Sequence, residues 1–155
     1  MKILQLAKFP PNSRGGIEKL VNQISSLLSA SSVRIDILCF DENTKSRFDV
    51  FYTHTVYKAR SLFTFLSTPF SIHNLYFLHK LVQSYDLIHV HLPNPLSALY
   101  ALTLPQSKKI SVHFHAEARN LRLYKLYRFI ERKVLDRASL IICTSPYLAN
   151  SPTLS

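Results

Sequence analysis

A chain of 155 residues is about the size of one domain and is long enough to bury a substantial core. With 47% hydrophobic and 18% charged residues, the sequence is too apolar to belong to a disordered protein. The net charge of +10 at pH 7 indicates an anionic partner.

The predicted elements alternate between strands and helices. Strand-like runs cover residues 2–9, 33–40, about 49–57, 86–92, 109–116 and 139–144. Several of these runs are nearly continuous in apolar residues, which is typical of strands covered on both faces in a parallel sheet. Apolar residues at helical spacing predict a helix between the first two runs: Ile17, Leu20, Val21, Ile24, Leu27 and Leu28.

Further helices are predicted at about 70–84, 95–104 and 120–137. The last of these has an inward apolar stripe of Leu123, Tyr127, Ile130 and Val134. The alternation predicts an α/β domain, a Rossmann-like doubly wound and mainly parallel sheet with helices on both faces. In such a domain, ligands bind outside the carboxyl ends of the strands.

The amino-terminal run KILQLAKF contains no apolar region of a signal peptide, so we expect a cytoplasmic protein. Windows 61–79 and 87–107 lack Asp, Glu, Lys and Arg, but prolines, histidines and asparagines interrupt both, and we predict no membrane span. Cys39 and Cys143 lie in apolar runs, so we expect reduced thiols and no disulfide.

Gly15 and Gly16 are the only glycines in the sequence, and they lie between the first predicted strand and the first helix. Without a Cβ atom, the backbone there can adopt unusual dihedral angles and approach a ligand closely. The amides of the helix amino terminus would then face an anion or sugar hydroxyls. The alternative is a tight turn without a ligand, since neither a GxGxxG pattern nor a P-loop is present.

Four segments together resemble the amino-terminal domain of family-4-type glycosyltransferases, which have the GT-B fold. The first segment carries the glycine pair followed by Glu18, the next two contain His-x-His pairs, and the last ends in a Ser-Pro turn. They read MKILQLAKFPPNSRGGIEKLVNQISSLL, DLIHVHLPNPLSALYAL, KISVHFHAE and RASLIICTSPYLANSPTLS. The similarity covers nearly the whole chain in the order of the family.

The resemblance implies the acceptor-binding half of a retaining, metal-independent glycosyltransferase that uses a nucleotide-sugar donor and no bound cofactor. By the same resemblance, His115 lies beside the transferred sugar as the catalytic-site residue. Gly15, Gly16 and Glu18 form the loop near the donor phosphates. The acceptor side includes His91, His113, Glu117 and Arg119. The implied acceptor is a sugar or a lipid-linked sugar in surface polysaccharide or glycolipid assembly.

The sequence departs from the family in lacking the Glu-x7-Glu motif of the carboxy-terminal domain. Eight positions after Glu18, Glu42, Glu117 and Glu131 stand Ser26, Val50, Lys125 and Ser139. We therefore expect residues 1–155 to form a single amino-terminal domain. The nucleotide-sugar domain would be absent or supplied by a partner chain, and the chain would be inactive alone.

The histidines offer a rival chemistry. His89 and His91 form one His-x-His pair, and His113 and His115 form another, so each pair points to one face of its strand. With Glu117, these imidazoles could bind zinc and activate water for hydrolysis. The alternative is hydrogen bonding to backbone or sugar. Because no further carboxylate or cysteine follows at a telling spacing, we expect no metal.

Two surfaces suggest partners. Residues 101–155 hold nine basic and three acidic residues, a net of +6, and the basic side chains of helix 120–137 lie away from its apolar stripe. That face is a solvated surface, a site for anionic lipid headgroups on the inner membrane face, or a nucleic-acid surface. No nucleic-acid motif is present, so we expect no nucleic acid.

The segment 60–77 is rich in aromatic residues. It contains Phe63, Phe65, Phe70, Tyr76 and Phe77. We expect most of them to pack in the core. The alternative is that part of this segment touches a membrane or a lipid-linked acceptor.

Overall fold

The computed structural model describes the chain except for residues 12, 14, 30, 42–44, 52, 66–67, 118–123, 152 and 155. The strands are β1 (Lys2–Leu6), β2 (Arg34–Asp41), β3 (Arg47–Val50), β4 (Thr55–Arg60), β5 (Phe63–Phe65), β6 (Thr68–Phe70), β7 (Leu87–Leu92), β8 (Lys109–Phe114) and β9 (Leu140–Cys143). The helices are α1 (Gly16–Ser29), α2 (Ile72–Leu81), α3 (Pro95–Leu102), α4 (Tyr124–Arg137) and α5 (Pro146–Ala149), and a short 3-10 turn covers Val82–Ser84.

Seven strands form one sheet in the order β3-β4-β2-β1-β7-β8-β9. Every neighbouring pair is parallel except β3 with β4 at the edge. The chain proceeds from β1 outward to β2 and β4, and then continues on the other side of β1 with β7, β8 and β9. The prediction of a doubly wound, mainly parallel sheet is confirmed, and its order reverses between β1 and β7.

The two faces of the sheet differ in chemistry. On one face, side chains such as Leu4, Val90 and Val112 pack with apolar residues of α2, α3 and α4 in the larger core. On the other face, α1 covers β2 and β4 through Val21, which packs with Ile37 and neighbouring residues. Further along this second face, polar side chains of β1, β7 and β8 are buried. They are Gln5, His89, His91, Ser111 and His113.

β7 and β8 are buried on both faces, as expected for strands of a parallel sheet, but one of these faces is polar. Their sequences, LIHVHL and KISVHF, alternate apolar and polar residues. Ile88 and Ile110 lie in the core, whereas His89 and Ser111 are buried on the opposite face and contact each other. A polar strip thus follows two central strands to their carboxyl ends.

The predicted strand at 49–57 is also wrong, because the chain turns back on itself there. β3 ends at Val50, and the amide of Phe51 donates to the carbonyl of His54 at 2.9 Å. The carboxylate of Asp36 then accepts from the amide of Thr55 at 2.6 Å, at the start of β4. The sequence DVFYTHTVY contains no Gly, Pro or Asn to signal this turn.

Other boundaries differ by a few residues. β1 ends at Leu6 instead of residue 9, and the helix predicted at 70–84 is α2 followed by the 3-10 turn. The β5–β6 hairpin and α5 were not predicted. In α4, Tyr127 and Val134 are buried and Ile130 packs on the core as predicted, whereas Leu123 lies outside the described residues.

The structure also bears on the two cysteines and on the possibility of membrane spans. Cys39 and Cys143 are both free, as expected, and burial raises the pKa of the Cys39 thiol. Among the described residues, none of the helices combines the length and the apolar character that crossing a membrane requires.

Candidate active site at the carboxyl edge of the sheet

The reversal of strand order defines where a ligand would bind. In an open α/β sheet, a crevice forms outside the carboxyl ends of the two strands that flank the reversal. Here those strands are β1 and β7. The chain leaving β1 reaches Gly15 and Gly16 before α1, and the next strand, β8, leads directly into His115. The residues expected for the donor loop and the transferred sugar therefore belong to the same edge of the sheet.

Four imidazoles gather on the polar face beside this crevice. His91 and His113 are partners in the register of β7 and β8. The ring centroids of His89 and His91 are 4.8 Å apart, and those of His113 and His115 are 4.2 Å apart. The prediction that each His-x-His pair presents both rings on one face is confirmed. We call these four residues the histidine cluster.

Hydrogen bonds connect the histidine cluster to α1. Nε2 of Gln5 donates to the carbonyl of Val21 at 3.2 Å and to the hydroxyl of Ser25 at 2.7 Å. Oε1 of Gln5 lies 2.8 Å from Nε2 of His91. The other nitrogen of His91, Nδ1, lies 2.9 Å from Nε2 of His115. A continuous polar path thus runs from α1 across β1 and β7 to the end of β8.

Burial keeps the histidine cluster neutral. It lowers the pKa of His89 to about 4 and that of His115 to about 4, with neighbouring imidazoles adding to both shifts. Burial also lowers the pKa of His91 well below its ordinary value and lowers that of His113. Each ring therefore has one N–H donor and one lone-pair acceptor near pH 7. His115, which is half-buried, can offer a ligand a neutral hydrogen-bonding group.

The two glycines have different surroundings. A Cβ atom on Gly15 would lie 1.9 Å from Oε2 of Glu18, whereas one on Gly16 would meet nothing within 4 Å. Neither glycine has a positive φ, so the expectation of unusual dihedral angles at this pair is wrong. A side chain at position 15 would displace the end of the Glu18 side chain, which folds back over Gly15. Gly16 begins α1 and is exposed.

Glu18 gives the amino terminus of α1 a negative charge of its own. It lies in the first turn, where a carboxylate interacts favourably with the helix dipole, and it is buried. In a capping box, an acidic residue of the first turn reaches back to the residue before the helix, and Glu18 has this arrangement. The structure thus adds a stabilising role for Glu18 to the ligand role implied by the resemblance.

Lys8 is a residue that the sequence reasoning missed. It follows β1 at the carboxyl edge and is half-buried, and burial lowers the pKa of its amine while the charge of Glu18 opposes that shift. The sequence contains a signal for Lys8, because lysine is seldom buried and this one follows directly after the apolar run of β1. Lys8 brings a positive charge to this edge.

The remaining residues predicted for the acceptor side lie in different places. His113 lies in the histidine cluster, with its Nδ1 buried and without a hydrogen-bond partner among the described residues. Glu117 is half-buried, and its charge contributes to the raised pKa of Glu131 in α4, so it lies near that helix. Arg119 lies outside the described residues.

The geometry of the histidine cluster can be compared with that of a zinc site. Potential ligand atoms of His89, His91 and His113 lie within 4.8 Å of one another. Zinc–nitrogen bonds of 2.0–2.1 Å would bring tetrahedral ligand atoms to about 3.3 Å from each other. Both nitrogens of His91 are already paired, with Gln5 and with His115. Zinc binding would therefore require the rings to move and at least one of these contacts to break.

Comparison with known proteins identifies the family. Residues 14–151 match the model of Glycosyltransferase Family 4. The chain belongs to glycosyltransferase family 4. This result confirms the resemblance seen in the sequence.

Individual relatives agree with this assignment. The family-4 chain is 29% identical over 157 residues to O-antigen chain mannosyltransferase C of Escherichia coli, a match that covers 99% of this chain and 42% of that protein. Among solved structures, it is similar to sucrose-phosphate synthase from Thermosynechococcus elongatus, with a TM-score of 0.68 and 17% identity. That match covers 94% of this chain and 42% of the other.

A second solved structure has the same fold at lower similarity. It is described as trehalose-6-phosphate from E. coli bound with UDP-2-fluoro glucose, with a TM-score of 0.55 and 9% identity over 91% of this chain and 39% of the other. These similarities show the GT-B type of fold. The family-4 chain spans less than half the length of each of these three proteins.

Proposed function

We propose that this family-4 chain is the acceptor-binding half of a retaining glycosyltransferase that uses a nucleotide-sugar donor. The observation that carries the proposal is the position of His115 and the Gly15-Gly16 loop at the carboxyl edge where the strand order reverses between β1 and β7. Family-4 membership supplies the reaction class, and the crevice supplies a position for the reacting sugar.

The chemistry of the crevice suits sugar transfer. Sugar hydroxyls and a departing diphosphate need hydrogen-bond donors and positive charge, held in position before the reaction. His115 offers a neutral imidazole, because burial lowers its pKa to about 4. Lys8 and the amino terminus of α1 bring positive charge to the same edge, partly offset by Glu18. These groups would orient the acceptor and stabilise the leaving group without a metal or a bound cofactor.

A relative of this chain suggests which sugar to test first. That protein is an O-antigen chain mannosyltransferase. We therefore infer that this chain acts in surface polysaccharide or glycolipid assembly and that mannose is the first sugar to test. The acceptor would be a growing glycan or a lipid-linked sugar.

A lipid-linked acceptor would bring the protein to the inner face of the membrane as a peripheral protein. Supporting this, Leu62, Phe63, Ile72 and Tyr76 are exposed on and beside the β5–β6 hairpin and α2. Lys80 lies over the ring of Tyr76, 5.8 Å from its centroid. Apolar side chains beside basic ones suit the headgroup region of a membrane.

Vesicle sedimentation tests the membrane proposal. We expect binding to vesicles containing phosphatidylglycerol, and we expect Phe63→Ser to weaken it. Leu140 is equally exposed but lies on β9, so Leu140→Ser is the matched control. Equal binding of wild type and Phe63→Ser would reject this surface.

The donor half is proposed to come from a carboxy-terminal domain or a partner chain. The family's Glu-x7-Glu motif does not occur in these 155 residues. The groups that would hold the donor ribose and sugar are therefore supplied elsewhere, and this chain alone should not transfer sugar.

A transfer assay tests the proposed function. The purified chain is incubated with nucleotide-activated mannose, glucose and galactose and a lipid-linked acceptor, first alone and then joined to the carboxy-terminal half of the E. coli mannosyltransferase. We expect no transfer by the chain alone, and we expect transfer by the joined protein that is strongly reduced in His115→Ala. Transfer by the chain alone would overturn the assignment as an acceptor half.

A further inference from the structure

We propose that Gln5 is a positioning residue that fixes the tautomer of His91 and, through His91, that of His115. The contacts described above carry the inference. Its importance for catalysis rests on the proposed function, but the tautomers can be observed without any sugar substrate. Gln5 is fully buried in β1 and is the one polar residue between Ile3 and Leu6.

The orientation of the Gln5 amide follows from its contacts with α1. The carbonyl oxygen of Val21 can only accept a hydrogen bond, so the Gln5 atom 3.2 Å from it must be the NH2 group. The hydroxyl of Ser25 accepts a second bond from the same group at 2.7 Å. The carbonyl oxygen of Gln5 must therefore be the atom that faces His91.

The tautomer of His91 follows from that orientation. Oε1 of Gln5 can only accept, so Nε2 of His91, 2.8 Å away, must carry the hydrogen. Because the buried ring is neutral, its Nδ1 then has a lone pair. Nε2 of His115 lies 2.9 Å from Nδ1 of His91 and must donate a hydrogen bond to its lone pair.

His115 is consequently left with an acceptor for its ligand. With the hydrogen on Nε2 used toward His91, Nδ1 of the neutral ring carries the lone pair. The His115 ring also stacks on that of His113, at a centroid distance of 4.2 Å, which restricts its rotation. Nδ1 would then accept a hydrogen bond from a sugar hydroxyl.

This arrangement links two parts of the proposed site. Val21 and Ser25 belong to α1, which begins at Gly16, so the helix that carries the glycine loop also orients the Gln5 amide. An ionised glutamate at position 5 could not donate to the carbonyl of Val21, and an apolar residue could not accept from His91. The neutral amide of Gln5 satisfies both sides of this buried contact.

Nitrogen NMR of the histidine rings tests the inference. Long-range ¹⁵N–¹H spectra of the 155-residue chain at pH 8 distinguish the protonated from the unprotonated nitrogen of each ring. We expect both His91 and His115 to be protonated at Nε2. Gln5→Met preserves side-chain size and removes both hydrogen-bonding groups. In this variant we expect the difference between the ¹⁵N chemical shifts of Nδ1 and Nε2 to decrease in both rings, because each ring would then be a mixture of tautomers.

Two further variants make the result interpretable. Gln23 is exposed on α1, so Gln23→Met is the matched control and should leave both rings unchanged. Ser25→Ala retains the bond to Val21, so it should leave the tautomers in place. Wild-type His91 protonated at Nδ1, or unchanged tautomers in folded Gln5→Met, would overturn the inference. If Gln5→Met does not fold, the wild-type tautomers decide the question.

This experiment separates the inference from the proposed function. A chain with the expected tautomers that binds no sugar would retain the role of Gln5 and reject the sugar site. A chain that binds sugar but has the opposite tautomers would retain the sugar site and reject the role of Gln5.

Discussion

Nε2 of His115 lies 2.9 Å from Nδ1 of His91, so two residues 24 positions apart meet at the carboxyl edge of neighbouring parallel strands. The contact joins the end of β8 to a polar path that begins on α1. His115 is therefore held by contacts within the domain.

Removal of the His115 side chain should reduce turnover without unfolding the domain. In the joined two-domain protein, we expect His115→Ala to lower kcat/KM by the equivalent of about 2–4 kcal/mol, because a positioned hydrogen-bonding group is lost beside the sugar. The exposed His73 provides the control, and His73→Ala should keep full activity. Near-normal kcat/KM in folded His115→Ala would remove this residue from the site.

Alanine at the two glycines should have different effects. Gly15→Ala would bring a Cβ atom to 1.9 Å from Oε2 of Glu18, so the Glu18 carboxylate must move away from the amino terminus of α1. We expect a loss of about 1 kcal/mol in the free energy of unfolding, the typical cost of a lost cap. Gly16→Ala meets open space at the start of a helix and should be neutral or stabilising by less than about 1 kcal/mol.

Urea denaturation of both glycine variants at pH 7 checks this difference. Gly15→Ala combined with Glu18→Gln should cost less than the sum of the single changes, because both act through one carboxylate. Equal losses in the two single glycine variants would contradict the account, since they would indicate a common requirement for flexibility.

The histidine cluster should make the domain less stable in mild acid. His89 has an ordinary pKa of 6.5 and a folded pKa of about 4, so the unfolded chain binds more protons between these values. Stability is therefore fully present above about pH 6.5 and decreases as the pH falls toward 4. The maximum slope is about 1.4 kcal/mol per pH unit for each buried imidazole.

Urea denaturation from pH 4.5 to 7.5 measures this slope. His89→Gln should flatten it, because the amide does not titrate, whereas His73→Gln on the exposed surface of α2 should leave it unchanged. A slope that is the same in wild type and His89→Gln would show that other groups, such as carboxylates, control the acid response.

Glu131 should destabilise the domain at neutral and alkaline pH. Its side chain is buried in α4, with Oε1 unpaired among the described residues, and burial raises its pKa. A raised carboxyl pKa means that the folded state favours the neutral form, so stability decreases as the pH rises through the folded pKa. We expect Glu131→Gln to raise the free energy of unfolding at pH 8 by about 1 kcal/mol and to have little effect at pH 4.

Thermal unfolding at the two pH values checks the Glu131 prediction. Asp136 is exposed on the same helix, so Asp136→Asn is the control and should change stability little at either pH. Destabilisation by Glu131→Gln at pH 8 would show instead that the charge of Arg128, which opposes the rise in the Glu131 pKa, outweighs the effect of burial.

Much of the fold could be predicted from the sequence because its signals are local. Helical spacing of apolar residues gave α1 and the described part of α4, and the parallel sheet followed from alternation of strands and helices. The β3–β4 hairpin could not be predicted in this way. Its turn is held by Asp36, which comes from a distant part of the sequence and bonds the amide of Thr55.

The candidate site could be predicted only in part, because it also depends on contacts between residues that are far apart in the sequence. Two-residue spacing indicated that His113 and His115 share a face, but it could not show that His91 contacts His115 across neighbouring strands. Gln5 is one polar residue in an apolar strand, and its role depends on contacts with α1 and β7. Register and helix packing determine these contacts, and neither can be read from one sequence.

The central claim, that a sugar binds at the carboxyl edge beside β1 and β7, can be tested most directly by mapping ligand binding onto the folded chain. The ¹⁵N-labelled protein is titrated with nucleotide-activated mannose and with mannose oligosaccharides while amide and imidazole signals are recorded. We predict shifts concentrated at Gly15, Gly16 and His115, with His54 and Thr55 at the opposite edge of the sheet unchanged. Shifts concentrated at His54 and Thr55, or no shifts with any of these sugars, would contradict the claim.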